Sequence, residues 1–162
     1  MSKKMKLLQL LEDDCTLTTD QLAAMTDMTA DEVQAAVNAY RDSHVILGYQ
    51  AIVDWERTEQ EAVTALIEVN VTPQRGEGFD RVAKRIYQYD EVESLYLMSG
   101  SFDMTVIISG RTLKEVAQFV GRKLAPIEGV TGTATHFILK KYKEKHLVFE
   151  KQERQEEGFV FE

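Results

Sequence analysis

Two helix-start signatures stand eleven residues apart near the front of the chain: Leu17-Thr18-Thr19-Asp20-Gln21-Leu22 and Met28-Thr29-Ala30-Asp31-Glu32-Val33. In each, a threonine precedes a Gln or Glu by three positions. At that spacing the hydroxyl accepts the third residue's backbone N–H, while that residue's side chain reaches back to the threonine N–H. In each, an apolar residue just before the threonine is followed five positions later by another, the spacing of a hydrophobic staple. The pattern predicts one helix starting near Thr19 and a second near Ala30. The first has room for about two turns before the second begins. Two short helices joined by a tight turn are the geometry of a helix-turn-helix, the module that reads DNA in many regulators.

The 162 residues suffice for one ordinary domain or two small ones. Hydrophobic residues make up 44% and only two are proline, so the chain is expected to be globular. Cys15 is the only cysteine, which excludes an internal disulfide and points to a reducing compartment. No apolar run approaches the roughly 18 residues of a membrane span, and residues 1–12 lack a signal peptide's apolar stretch and cleavage site. The expectation is a cytoplasmic protein with no membrane partner. The net charge is −8. Residues 1–50 carry four basic side chains (Lys3, Lys4, Lys6, Arg41) against eight acidic ones (Glu12, Asp13, Asp14, Asp20, Asp27, Asp31, Glu32, Asp42), a local balance of −4. Phosphate neutralisation by Lys and Arg supplies most non-specific DNA affinity, so this front segment is poorly equipped for tight binding by charge alone.

Met5, Leu7, Leu8, Leu10 and Leu11 place a first helix over residues 5–12. The second spans about 19–25. The third spans about 30–42, with Val33, Ala36, Val37 and Tyr40 at helical spacing. Residues 45–53 (VILGYQAIV) are rich in β-branched side chains and read as a strand, and the charged segment 54–61, which contains Trp55, reads as a hinge. Trp55 is expected to be a packing anchor between domains rather than a base-stacking platform. Then Val63, Ala65, Ile67, Val69 and Val71 alternate with Thr64, Leu66, Glu68 and Asn70, as in a half-buried strand. A helical stripe follows (Phe79, Val82, Ala83, Ile86), then strands over 92–98 and 103–109, a second stripe (Leu113, Val116, Ala117, Val120, Leu124) and a last strand over 130–140. At an offset of 38, Val82 matches Val120, Ile86 matches Leu124 and Val92 matches Val130. Two strand-helix-strand units side by side make βαββαβ. The expected fold is therefore α+β. An N-terminal three-helix helix-turn-helix domain covers residues 1–50, a linking strand and hinge 51–61, a ferredoxin-like βαββαβ domain 62–142, and a charged tail, partly ordered at best, 143–162.

This order of elements resembles the Lrp/AsnC family of transcription regulators. The stretches that carry the resemblance are LTTDQLAAMTDMTADEV (17–33), VILGY (45–49), VESLYLMSGSFDM (92–104) and the turn at 128–130 leading into TGTATHFILKKYK (131–143). The resemblance implies a C-terminal domain that binds small effectors, usually amino acids, and assembles dimers into larger rings. It also implies that the linking strand pairs between subunits. The chain departs from the family pattern at Asp27, where the helix-helix turn commonly has glycine. Aspartate tolerates the left-handed conformation better than most residues.

If the third helix buries Val33, Ala36, Val37 and Tyr40, its other face presents Gln34, Asn38 and Arg41. Asn and Gln pair with adenine edges, and Arg with guanine or phosphate. These three are the candidate base readers, with Lys3, Lys4 and Lys6 near phosphates. The turn Ser99-Gly100-Ser101-Phe102-Asp103 resembles the glycine–aromatic–aspartate loop of the family's effector cleft. Gly100, Asp103, Thr131, Thr133 and Thr135 are the candidate effector residues, with Asp103 holding an ammonium group. The structural alternative is a hairpin in which glycine supplies positive φ and aspartate caps the turn.

His44, His136 and His146 are scattered, and no Walker loop, nucleophile elbow or dinucleotide fingerprint occurs. No cofactor, metal or catalytic residue is expected. The leading function is a DNA-binding transcriptional regulator controlled by a small effector, an amino acid, acting as a dimer-based tetramer or octamer. One alternative is an effector-binding or heteromeric partner without autonomous DNA binding, which the acidic front half favours. Another is an enzyme similar to the siroheme decarboxylases, for which His136 is the one histidine near the expected sheet.

Overall fold

Ser2 opens the first helix by accepting the Met5 N–H on its hydroxyl, so α1 runs Lys3–Asp13, longer at its start than the apolar stripe alone indicates. The structure, a computed structural model, describes residues 1–149 apart from 74, 75 and 77. Helices α2 (Thr19–Thr26) and α3 (Ala30–Asp42) start where the two threonines dictate. Both capping boxes close: Thr18 Oγ1 accepts the Gln21 N–H at 3.2 Å and Gln21 Oε1 accepts the Thr18 N–H at 2.8 Å. Thr29 and Glu32 repeat these contacts at 3.2 and 2.8 Å. Asp27 ends α2 in the left-handed region at φ 56°, as the departure from glycine requires. Leu7, Leu22, Val33 and Ala36 form the buried centre, and the staple residues Leu17 and Met28 pack against it. Each fully buried Leu or Val contributes about 1.5–3 kcal/mol.

The chain divides into two compact units, the first being Met1–Val53 and the second beginning at Asp54. Residues 45–53, expected as a strand, join no ladder in the single chain. A strand exists only through hydrogen bonds to a neighbour, and among the described residues none pairs with this segment. Trp55 is 47% exposed at the start of a 3₁₀ turn, Trp55–Arg57, whose first carbonyl accepts the Thr58 N–H.

In the second unit β1 (Val63–Val71) is flanked on both sides. The strands β2 (Val92–Leu97), β3 (Met104–Gly110) and β4 (Val130–Phe137) complete an antiparallel sheet of order β2-β3-β1-β4. Alternation along β1 is as expected: Ala65, Ile67, Val69 and Val71 are buried, whereas Thr64, Leu66 and Glu68 are partly exposed and Asn70 is exposed. Helices α4 (Asp80–Ile86) and α5 (Leu113–Phe119) cover the buried face with Val82, Ile86, Val116 and Phe119. Strand β4 stops three residues short of the expected end. Phe137 stands opposite Ala65, and the next backbone contact is the Ile138 N–H donating to the Thr64 carbonyl at 2.9 Å, one residue from the start of β1. At the turn before β4, Gly129 takes φ 99°, and a Cβ there would meet Val82 Cγ2 at 2.9 Å, so only glycine fits.

The segment after Tyr142 is less irregular than its charge suggests. Strands β5 (Lys143–Glu144) and β6 (Leu147–Val148) form a hairpin across Lys145 and His146, both at positive φ, the backbone a two-residue hairpin turn needs. The tail residues Glu153, Arg154, Glu156, Glu157 and Phe159–Phe161 lie outside the described residues.

Candidate functional sites

Helix α3 turns Val33 and Ala36 inward, with Val37 and Tyr40 partly buried beside them, and leaves Gln34, Asn38 and Arg41 exposed on the other side. The i, i+4, i+7 spacing sets the three on one stripe. Gln34 Nε2 donates to Asn38 Oδ1 at 3.1 Å, so the two amides are held side by side. Asn38 and Arg41 border an open cleft with Asp42, His44 and Ile46 at the C-terminal end of the helix. At the other end stand Asp31 and Glu32. The Thr29 backbone and side chain hydrogen-bond the Glu32 carboxyl and hold it below the usual glutamate range. These charges suit a helix N-terminus but oppose phosphate.

Lys3, Lys4 and Lys6 are all exposed on the first turn of α1. Lys3 is occupied: its ammonium donates to the Asp27 carbonyl and, at 3.0 Å, to the Asp27 carboxylate. That hydrogen bond and the lysine's charge hold the Asp27 carboxyl below the usual aspartate range, with Lys6 adding a smaller effect. Lys3 thus secures the left-handed residue between the two helices. The Lys4 carbonyl accepts the Tyr40 hydroxyl at 3.2 Å, tying α1 to α3. Neither contact was legible in the sequence, since each joins residues more than twenty positions apart.

In the second unit, the loop between β2 and β3 carries Gly100, exposed at φ 155°, and Asp103, half-buried. Asp103 Oδ2 accepts the Val71 N–H at 2.7 Å, its N–H donates to the Val69 carbonyl, and its carbonyl accepts the Met98 N–H. The aspartate therefore straps the loop to the end of β1. Thr133 and Thr135 stand opposite Val69 and Ile67 on β4, and Thr131 Oγ1 donates to the Asn70 carbonyl at 3.2 Å. The structure thus brings Gly100, Asp103, Thr131 and Thr133 to one end of the sheet, with β1 between the loop and the threonines. Two strand spacings separate the two sets, roughly 10 Å. Thr135 lies farther along β4.

The sheet face away from the helices carries Leu66, Thr105, Ile107, Tyr96 and Ala134 around the half-buried Glu68. His136 Nε2 stands 3.3 Å from Glu68 Oε1 across this face. Among the described residues no group of His, Cys, Asp and Glu is arranged to hold a metal ion, and no helix is long and apolar enough to cross a membrane.

Sequence periodicity also missed the end of α5. Residues Val120–Leu124 form a π turn, closed by the Ala125 N–H donating to the Val120 carbonyl at 2.8 Å. Buried Phe119 and Leu124 are consequently five residues apart, a spacing that a 3.6-residue stripe does not contain. On this turn Lys123 pairs with Glu91, lowering that carboxyl below its usual range.

Residues 64–148 match the family model for the Lrp/AsnC ligand binding domain. The HTH-type transcriptional regulator YugG of Bacillus subtilis is 44% identical over 149 residues, 91% of this chain and 90% of that protein. Among solved structures, the leucine response regulatory protein LrpA of Mycobacterium tuberculosis superposes with a TM-score of 0.75 at 20% identity, covering 91% of this chain and 97% of that one. A transcriptional regulator from Neisseria meningitidis, solved in complex with L-Met, superposes at 0.71 with 20% identity over 89% and 92%. These structural likenesses bear on the fold alone. With the family match over more than half the chain, the YugG identity, and a capped three-helix unit ahead of a β2-β3-β1-β4 sheet, this chain belongs to the Lrp/AsnC family of transcriptional regulators.

Proposed function

We propose that this chain is a DNA-binding transcriptional regulator whose assembly and DNA geometry respond to an amino acid, acting in the cytoplasm as a homodimer built into a tetramer or octamer. The carrying observation is the exposed Gln34–Asn38–Arg41 stripe on a helix that both capping boxes hold in a helix-turn-helix. Gln34 and Asn38 meet base edges in the major groove, Arg41 meets guanine or phosphate, and Lys3, Lys4 and Lys6 lie near the backbone. The relatives named above are regulators, and the Neisseria structure holds L-Met, which supports an amino acid as the effector class. Gly100, Asp103, Thr131, Thr133 and Thr135 are the proposed effector residues. The exposed apolar side chains of the linking segment, Val45, Leu47, Tyr49, Ile52 and Val53, support pairing of that segment with its copy in a second subunit.

Gel shifts on the DNA upstream of the protein's own gene, across a salt series, test this. Arg41→Ala is expected to weaken binding about tenfold and to reduce the salt slope by about one. An unchanged affinity and slope removes Arg41 from the interface.

One observation favours a second reading, a partner without autonomous DNA binding. The front segment is acidic, and one of its four cations, Lys3, is engaged by Asp27. No shift by the wild type at low salt would select that reading.

A further inference from the structure

The helix side of the second unit holds a cavity of about 300 Å³ that the loop site does not use. It opens at the far end of β3, where Ile108, Ser109 and Gly110 approach α5. Five residue steps along the chain separate its Ile108 from Asp103, roughly 17 Å of strand. Ile108, Val116 and Phe119 form its apolar wall, and Glu115 and Glu91 supply carboxylates. Gly110 keeps the floor low: an added Cβ would stand 3.3 Å from Val116 Cγ2.

The π turn after Phe119 completes this cavity. Such turns are rare and are frequent at functional sites. Here the widened turn sets two consecutive cations, Arg122 and Lys123, at the cavity wall. Lys123 is already committed. Its ammonium pairs with Glu91 and lies 5.3 Å from the Tyr89 ring centroid and 5.9 Å from that of Phe119, which themselves meet edge to face. Lys123 is therefore a fixed part of the wall. Arg122 is exposed and has no ion-pair partner among the described residues. Across the opening, Glu115 Oε2 accepts the Arg111 N–H at 2.7 Å, which fixes that carboxylate at the start of α5.

We infer that this cavity is a second binding site, separate from the Gly100–Asp103 loop, for an α-amino acid with an apolar side chain. A free guanidinium, a positioned carboxylate and an apolar wall between them complement such a zwitterion. Arg122 takes the α-carboxylate in a two-pronged contact, Glu115 takes the α-ammonium, and the side chain lies against Ile108, Val116 and Phe119. The volume falls at the small end of the range for ligand pockets. The choice of ligand class rests on the amino-acid reading above, while the site itself does not.

The test is methyl NMR on the full chain labelled at Ile, Val and Met, titrated with L-leucine, L-methionine and L-phenylalanine, and with L-aspartate and L-lysine as charged controls. Ile108 and Val116 report the cavity; Val71 and Met98 report the loop. At least one apolar amino acid is expected to shift Ile108 and Val116 saturably, and the charged controls to bind more weakly there. Arg122→Ala and Glu115→Gln are each expected to weaken that binding about tenfold, the worth of one charged hydrogen bond, and to leave Val71 and Met98 responses unchanged. Both side chains are exposed, so both variants are expected to fold. Shifts confined to Val71 and Met98 overturn this site and leave the loop reading standing. Shifts confined to Ile108 and Val116 do the reverse, and no shift at either overturns both. Shifts at the cavity that keep their affinity in Arg122→Ala and Glu115→Gln also overturn the proposal.

Discussion

Asp103 has two roles to separate, a strap for the fold and a partner for an effector's ammonium, and two substitutions divide them. Asp103→Ala removes the acceptor that stands 2.7 Å from the Val71 N–H, at the end of a strand whose side chains are buried. A hydrogen bond to a charged group is worth about 1.5–3 kcal/mol. Because Asp103 is only half-buried, the lower end applies, about 1.5 kcal/mol. For a chain of this size each kcal/mol moves the melting temperature by roughly 2–4 °C, so Asp103→Ala is expected to melt roughly 3–6 °C below the wild type. Asp103→Asn keeps an oxygen that can accept the same N–H and is expected to melt within about 2 °C of the wild type. Effector affinity divides differently. The asparagine has no charge for an ammonium, so both variants are expected to lose roughly ten- to a hundredfold in calorimetric titration with the amino acid that binds the wild type best. Thermal unfolding and titration on the three proteins decide the matter. If Asp103→Ala melts with the wild type, the strap contributes nothing; if Asp103→Asn binds as tightly as the wild type, Asp103 does not hold the ammonium.

Three further outcomes follow from the same structure. Thr29→Ala loses the acceptor for the Glu32 N–H, so the three-helix unit is expected to lose about 1 kcal/mol and its α3 amides to exchange about fivefold faster, with Thr29→Ser restoring both; unchanged protection would show that the cap carries no stability. The Asp27 carboxyl is held low by Lys3. Its contribution to stability is therefore fully present above the ordinary aspartate range and fades as pH falls through its lowered value. Lys3→Met is expected to raise the Asp27 titration seen by carboxyl NMR, and a titration unmoved by this change would mean the pair does not persist in solution. Leu47 is 87% exposed, so Leu47→Glu is expected to leave the chain folded yet reduce its sedimenting mass if the linking segment pairs between subunits; an unchanged mass refutes that pairing.

What the sequence determined by itself is the set of features built from neighbours. Thr18, Gln21, Thr29 and Glu32 set two helix starts because their hydrogen bonds span three residues and need nothing else. The alternation of β1 and the stripe of α4 settled which faces are buried, and the paired strand-helix-strand pattern gave the element order βαββαβ. The polar stripe on α3 follows from the same periodicity. Tertiary structure decided the rest. The Lys3 grip on Asp27, the Asp103 strap across 32 residues to Val71 and the Glu91–Lys123 pair join positions whose proximity exists only after the elements pack. The π turn arises where Phe119 and Leu124 must both reach the core from one helix, a demand made by the sheet beneath. The linking segment lies beyond both: its residues have the character of a strand, but a ladder needs a second edge, and among the described residues none pairs with it.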